Sequence, residues 1–223
     1  MRTLDDIRPL HLVDVRAYGK TLPVFAWLVD GRVLVDTGMI DSTPELDEAW
    51  GVRLLPWPEE LIGVGSTEPT ESAGGGSAGA GAGIRVETVV NTHLHFDHCG
   101  GNRRFAGLPT YVQRRELEAV SEPDYLVEWV RFDGADYHEL DGDADLGDGI
   151  SVLFTPGHSP GHQCVVVETD EGPVVLGGDV TYSMGELIRG GQENFDRIHA
   201  LEPRRVYLAH SARPWEPGVH SSA

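Results

Sequence analysis

The stretch Asn91-Thr92-His93-Leu94-His95-Phe96-Asp97-His98-Cys99-Gly100-Gly101-Asn102 puts three histidines and one carboxylate into the six positions 93–98. Residues 86–90, just before it, are rich in β-branched valine and free of turn residues, which reads as a buried strand. The histidines therefore stand at a strand's end. In an extended chain alternate side chains share a face, so His93 and His95 point the same way and can grip one cation. Asp97 and His98 are adjacent and reach a second cation only if the chain turns there, a turn that Gly100 and Gly101 are read as permitting. A lone histidine is ordinarily a core or surface residue. This density at a strand end points instead to metal binding, and imidazole and carboxylate donors suit zinc, iron, manganese or cobalt. An open coordination position would add hydrolysis.

With 17 basic and 36 acidic residues the net charge is -19, which repels phosphate backbones and anionic membrane surfaces. Neither nucleic acid nor membrane is an expected partner. No apolar run is long enough to span a bilayer and the first residues lack the apolar centre of a signal peptide, so the expected location is cytoplasmic. The length of 223 residues suits one domain with one sizeable core. Cys99 and Cys164 are too few for a disulfide framework and read as small buried residues, with a direct or redox role for Cys99, beside His98, as the alternative.

Along the chain, residues 12–17, 24–29 and 33–35 read as strands, with Asp30-Gly31 as the hairpin signal between the last two. Asp36-Thr37-Gly38-Met39 closes the third. Asp36 reads first as a turn residue or cap, and alternatively as a carboxylate that orients a metal-bound histidine. A helix is expected over 44–50. The segment at about 64–83, with only Ala, Gly and Ser at 73–83, reads as a flexible insertion in a loop rather than a domain boundary, because strands resume at Ile84 and lengthening a loop costs little. Residues 109–112 follow as a strand and 114–120 and 122–130 as helices. Leu126, Trp129 and Val130 have the spacing of a core stripe, while Tyr125 and Phe132 offer the alternative of an apolar substrate wall. The acidic run 141–148 reads as solvated surface.

The strand over 150–154 ends in Thr155-Pro156-Gly157-His158-Ser159-Pro160-Gly161-His162, where a tight turn would aim His158 back over the sheet end. His162 reads as support for a ligand or as packing, with direct ligation the alternative. Strands over 164–168 and 173–176 follow, the second leading to Gly177-Gly178-Asp179, whose carboxylate could bridge two metals. A helix over 194–201 and a strand over 206–209 then deliver His210. His11, His138, His199 and His220 lack such a context and read as ordinary residues.

In chain order, His93-x-His95-x-Asp97-His98, His158, Asp179 and His210 resemble the metallo-β-lactamase superfamily over nearly the whole sequence. The segments 92–102, 36–39 and 155–163 are most similar to its N-acyl homoserine lactone lactonases. The resemblance implies an α/β fold, a four-layer αββα sandwich with the metal site at the sheet edges, formed by a single domain over 1–223. It implies that one divalent ion takes His93, His95 and His158, that a second takes Asp97, His98 and His210, and that Asp179 bridges them. Zinc comes first, with iron, manganese or cobalt as alternatives. Tyr182, three residues after Asp179, matches a tyrosine that these lactonases place there, an ordinary packed aromatic being the alternative. The implied activity is opening of a small-molecule lactone or ester by a metal-bridging hydroxide, with Tyr182 donating to the oxyanion and Asp97 passing a proton to the leaving alkoxide. A thioesterase of the glyoxalase II type and a mono-iron persulfide dioxygenase are the alternatives. The length leaves little room for the extra substrate domain of the first, and the second has no need of Asp97, His98 and His210. A homodimer is compatible with this reading. The chain departs from the pattern in a shorter interval between Asp179 and His210, in Ser211 where an aspartate is frequent, and in the glycine-rich insertion, all of which bear on the acyl pocket rather than the ligands.

Overall fold

The computed structural model describes residues 2–58, 61, 84–122 and 125–218, so the expected insertion at 64–83 and His220 lie outside the described residues. In order the chain forms β1 (Ile7–Ala17), β2 (Lys20–Val29), β3 (Val33–Val35), β4 (Gly38–Met39), α1 (Pro44–Trp50), β5 (Arg53–Leu54), β6 (Thr88–Val90), α2 (Phe96–Cys99), β7 (Pro109–Gln113), α3 (Arg114–Ala119), α4 (Val127–Val130), β8 (Asp136–Leu140), β9 (Ala144–Gly147), β10 (Ile150–Phe154), β11 (Gln163–Val167), β12 (Val174–Leu176), α5 (Met184–Arg189), α6 (Glu193–Ala200) and β13 (Arg205–Tyr207). Among the described residues these strands make two sheets, ordered β5-β1-β2-β3-β6-β7-β8 and β13-β12-β11-β10-β9.

Side-chain alternation explains why the sheets stack and why each is roofed by helices. On β2, Trp27 and Val29 face the second sheet, where they meet Val152, Val165, Val167, Val174 and Leu176. Their neighbours Ala26 and Leu28 face outward, onto a cluster with Leu46 of α1, Phe96 of α2 and Trp129 of α4. All five residues of β11 are buried: Val165 and Val167 point inward, and Cys164 and Val166 lie beneath Leu187, Phe195 and Ile198 of α5 and α6. A strand covered on both faces loses the polar half of its alternation. The result is the αββα sandwich expected from the sequence. No helix among the described residues is long and apolar enough to cross a membrane.

Local signals act as their chemistry dictates. Thr43 caps α1, its hydroxyl oxygen accepting from the Leu46 amide at 3.3 Å, Pro44 occupies the first turn, and Gly51 ends the helix in the left-handed conformation. Asp30 and Gly31, both at positive φ, form the tight turn between β2 and β3. The pairs β3–β6 and β12–β13 are parallel, and β10 reaches the direction of β12 through two antiparallel steps across β11. The carboxyl ends of these strands therefore open onto one rim.

Several elements differ from the sequence-based expectation. The strand expected at 86–90 begins at Thr88, because the amides of Arg85 and Glu87 bond to the carbonyls of Gly31 and Arg32 ahead of the ladder. Of the helix expected over 122–130, the described residues are helical only over Val127–Val130, although Trp129 and Val130 are core residues as their spacing suggested. The acidic run 141–148 contains β9, and β8 was not anticipated at all. Both are edge strands whose inward residues, Tyr137, Leu140, Ala144 and Leu146, are only half-buried, with Asp136, Glu139 and Asp145 exposed, so charge masks the apolar positions. Helix α5 was also missed, although Ser183 caps it by accepting from the Glu186 amide at 3.3 Å.

Cys99 and Cys164 are both buried thiols, as read from the sequence. Cys99 Sγ donates to the Leu94 carbonyl at 3.3 Å. Burial pushes the Cys164 thiol up from 9.0 to about 12. Between these values the unfolded chain has lost the thiol proton and the folded chain has kept it, so stability falls as pH rises from 9 toward 12, by roughly 4 kcal/mol at the limit. Chemical denaturation across this range should therefore show a shallower alkaline loss in Cys164→Ala than in the parent. Parallel curves would disprove the linkage.

Candidate metal centre

Five strand ends supply the site. β3 leads into Asp36, β6 into His93 and His95, β10 into His158, β12 into Asp179 and β13 into His210. His158 Nε2 lies 3.2 Å from His93 Nε2 and 3.0 Å from His95 Nδ1. Nitrogen ligands 2.0–2.1 Å from a tetrahedral zinc stand about 3.3 Å apart, so this spacing is one that could hold a single ion. His98 Nε2 lies 3.8 Å from Asp97 Oδ2, and His210 Nε2 is 3.6 Å from the same oxygen. Asp179 stands between the sets: Oδ2 is 3.1 Å from His210 Nε2 and 3.6 Å from His158 Nε2, and Oδ1 is 3.4 Å from His98 Nε2. All seven residues singled out in the sequence are thus brought together.

The turn that separates Asp97 from His95 arises differently from the expectation. Gly100 and Gly101 are not its hinge, since both keep negative φ values. The one-turn helix α2 itself swings Asp97 and His98 round, and the amides of His98 and Cys99 both bond to the His95 carbonyl. Gly100 is required for packing instead, because a Cβ there would lie 2.6 Å from the Phe96 carbonyl oxygen.

The ring tautomers follow from the partners on the far side of each imidazole. His98 Nδ1 donates to Asp36 Oδ2 at 2.8 Å, and His210 Nδ1 donates to the Pro23 carbonyl at 2.9 Å. The Thr92 hydroxyl donates to Asp36 Oδ2 at 2.7 Å and so accepts from His93 Nδ1 at 3.1 Å. His93 Nε2 is thereby left with a lone pair aimed into the centre, and in His98 and His210 Nε2 is the nitrogen that faces the centre and the carboxylate of Asp179. His162 differs, because Nδ1 faces the Thr155 hydroxyl at 2.9 Å and Nε2 accepts from the Asp179 amide at 3.1 Å. With both nitrogens engaged it supports the loop of Asp179, the first of its two sequence readings. Asp36 fulfils both of its readings: it turns the chain at a φ of 58° and it fixes His98.

Electrostatics sharpen this picture. Burial, and then the rings of His98, His95 and His158, hold His93 well below the usual imidazole range. For His98 burial also opposes charge, but Asp179, Asp97 and Asp36 outweigh it and hold the ring well above that range. Burial would raise Asp179, yet His210 and His98 hold it well below the usual carboxylate range. His98 Nε2 and Asp179 Oδ1 are buried without a hydrogen-bond partner among the described residues. Such orphans cost about 1–3 kcal/mol each, and a divalent cation satisfies both while displacing the proton from His98. The donor set fits metal ions.

Four residues escaped the sequence reading. Thr92 links Asp36 to His93, and Asn91 and Asn102 pair through their amides, Asn102 Nδ2 donating to Asn91 Oδ1 at 2.8 Å. Glu116 is buried beside the histidine loop. Above the ligands lies a cleft of about 590 Å³, including its open mouth, with Val15, Leu22, Trp50 and Phe96 on its apolar walls and Tyr18 and Tyr182 at its lip. Tyr182 is half exposed, and its hydroxyl is 3.4 Å from His158 Nδ1. Burial and the neighbouring Asp179 push its phenol up, so it stays protonated and able to donate.

A model of the metallo-beta-lactamase superfamily matches residues 19–210. The chain is 34% identical over 185 residues to an N-acyl homoserine lactonase of Bacillus cereus, a match covering 78% of this chain and 67% of that protein. It is 33% identical over 192 residues, with the same coverage, to the N-acyl homoserine lactonase AiiA of Bacillus thuringiensis subsp. kurstaki. A solved N-acyl homoserine lactone hydrolase, with the product N-hexanoyl-L-homoserine bound at its catalytic metal center, aligns with a TM-score of 0.66 and 26% identity over 92% of this chain and 91% of its own. Fold, rim and match agree, and this chain belongs to the metallo-beta-lactamase superfamily.

Proposed function

We propose that this chain hydrolyses N-acyl homoserine lactones or closely related lactones, using two divalent cations, with zinc the first choice. The observation that carries the reading is the placement of two convergent ligand sets beneath an apolar cleft, in a chain a third identical to N-acyl homoserine lactonases. His93, His95 and His158 would hold one cation, Asp97, His98 and His210 the other, with Asp179 shared. Cations bound there supply Lewis-acid polarisation of a carbonyl and a water of lowered pKa.

The protein's own residues do the rest. The apolar walls take an acyl chain and keep bulk water from the ring. Tyr182, protonated at the lip, donates to the oxygen that gains charge as the carbonyl is attacked, a contribution of about 3 kcal/mol at good geometry. Asp97 takes a proton from the attacking water and returns it to the alkoxide that leaves as the ring opens. The assembly Asp97, His98 and His210 supports hydrolysis over one-iron dioxygenase chemistry, which would leave that set unused. In this reading one domain, 1–223, works in the cytoplasm on a small signalling lactone, and its action silences the signal.

A substrate panel on metal-reconstituted protein tests this. Lactones should be opened at least tenfold faster than matched thioesters, activity should disappear on exhaustive chelation and return with zinc, manganese or cobalt, and Tyr182→Phe should lower kcat more than it raises KM. Activity indifferent to chelation, or a preference for thioesters, refutes the proposal.

A further inference from the structure

Glu116 on α3 is fully buried and lies outside the seven ligand candidates. Its Oε2 accepts from the Leu94 amide at 3.0 Å and from the Tyr125 hydroxyl at 2.9 Å. Its Oε1 accepts from the Gly161 amide at 2.7 Å and from the Ser159 hydroxyl. Four donors fill the four acceptor positions of a carboxylate. Leu94 sits between His93 and His95, and Ser159 follows His158. The three histidines that converge on one ion position therefore stand on two loops, one from each sheet, and Glu116 is bonded to both. The contact is close: a Cβ on Gly161 would lie 2.6 Å from the Glu116 amide nitrogen and 2.7 Å from its Cγ. Tyr125 adds a second link, its ring edge-on to His95 with centroids 5.0 Å apart.

We propose that Glu116 is a positioning residue that sets the gap between the His93–His95 loop and the His158 loop, and so governs cation affinity at that position without governing the other. The proposal rests on reading the seven residues as a metal centre. The other position has separate supports, since His98 is fixed by Asp36 and His210 by the Pro23 carbonyl. A glutamine cannot replace Glu116, because its NH₂ would face two donors where the carboxylate offers an acceptor.

Zinc uptake by the metal-free parent, Glu116→Gln and Ser159→Ala, measured against graded chelator buffers, tests this, with melting temperatures of the metal-free proteins taken alongside. The parent should take up two ions. Glu116→Gln should bind one ion with parental affinity and the other about 10–100-fold more weakly. Ser159→Ala, which removes a single donor and carries the test if the glutamine variant does not fold, should weaken the same step to a smaller degree. In a His158→Ala background, which keeps only the second position, Glu116→Gln should change nothing further. Parental affinity for both ions in Glu116→Gln and Ser159→Ala, or equal weakening of both, overturns the role of Glu116. A parent that takes up no ion overturns the metal-centre reading itself, a result distinguishable from either.

Discussion

Asp179→Asn is expected to fold and yet to lose at least about 10³-fold in kcat/KM, with bound metal falling from two ions to one or none. Asp179 is within reach of both ligand sets, with His158 Nε2 at 3.6 Å from Oδ2 and His98 Nε2 at 3.4 Å from Oδ1. An asparagine keeps the volume and one oxygen. Its amide nitrogen, however, would be aimed at a lone pair on His98 or His210, and the negative charge that draws two cations together is gone. Losing two-metal stabilisation of a charged transition state is a matter of several kcal/mol, and about 4 kcal/mol corresponds to the stated factor. The check is paired kinetics and metal analysis on variant and parent, with circular dichroism to establish the fold. A variant with two ions and parental turnover would show that Asp179 does not bridge.

The second large effect is expected from Asp36→Asn, a residue that touches no cation. Asn tolerates the left-handed backbone held at position 36, so the turn should survive. The amide can still accept from the Thr92 amide, now 2.7 Å from Oδ1, but its nitrogen replaces the oxygen that receives both the Thr92 hydroxyl and His98 Nδ1. His98 would then be pressed toward the opposite tautomer, with its proton on the nitrogen that faces the centre. Metal affinity at the Asp97, His98 and His210 position should fall about 10–100-fold, and lactone turnover with it. Activity restored by excess zinc would confirm a defect of loading, whereas parental zinc affinity would remove Asp36 from the machinery.

The ligand residues were legible because each sits just beyond an apolar run, and three imidazoles crowded into so short a segment seldom serve packing alone. The supports were legible only where the side chain announces itself. Asp36 stood at a strand end and could be weighed as either a turn residue or a histidine partner. Glu116 could not, since it lies among Arg114, Arg115 and Glu118 in what reads as a solvated helix, and only the fold turns that one face inward. Pro23 acts through its carbonyl, which every residue has, so nothing in the sequence marks it. The two missed strands, β8 and β9, failed for a related reason, because charged outward faces at sheet edges imitate loop composition.

The division of the ligands between the two halves of the sandwich has a mechanical consequence. His93, His95, Asp97 and His98 hang from the first sheet, and His158, Asp179 and His210 from the second. Each cation position takes donors from both, so a bound pair would act as a rivet through the rim. Endurance against heat and proteolysis would then track the supply of free ions in the surroundings, rising by about 2.7 kcal/mol for an ion at a hundredfold its dissociation constant, and scarcity of such ions would leave the same polypeptide with its two slabs unpinned.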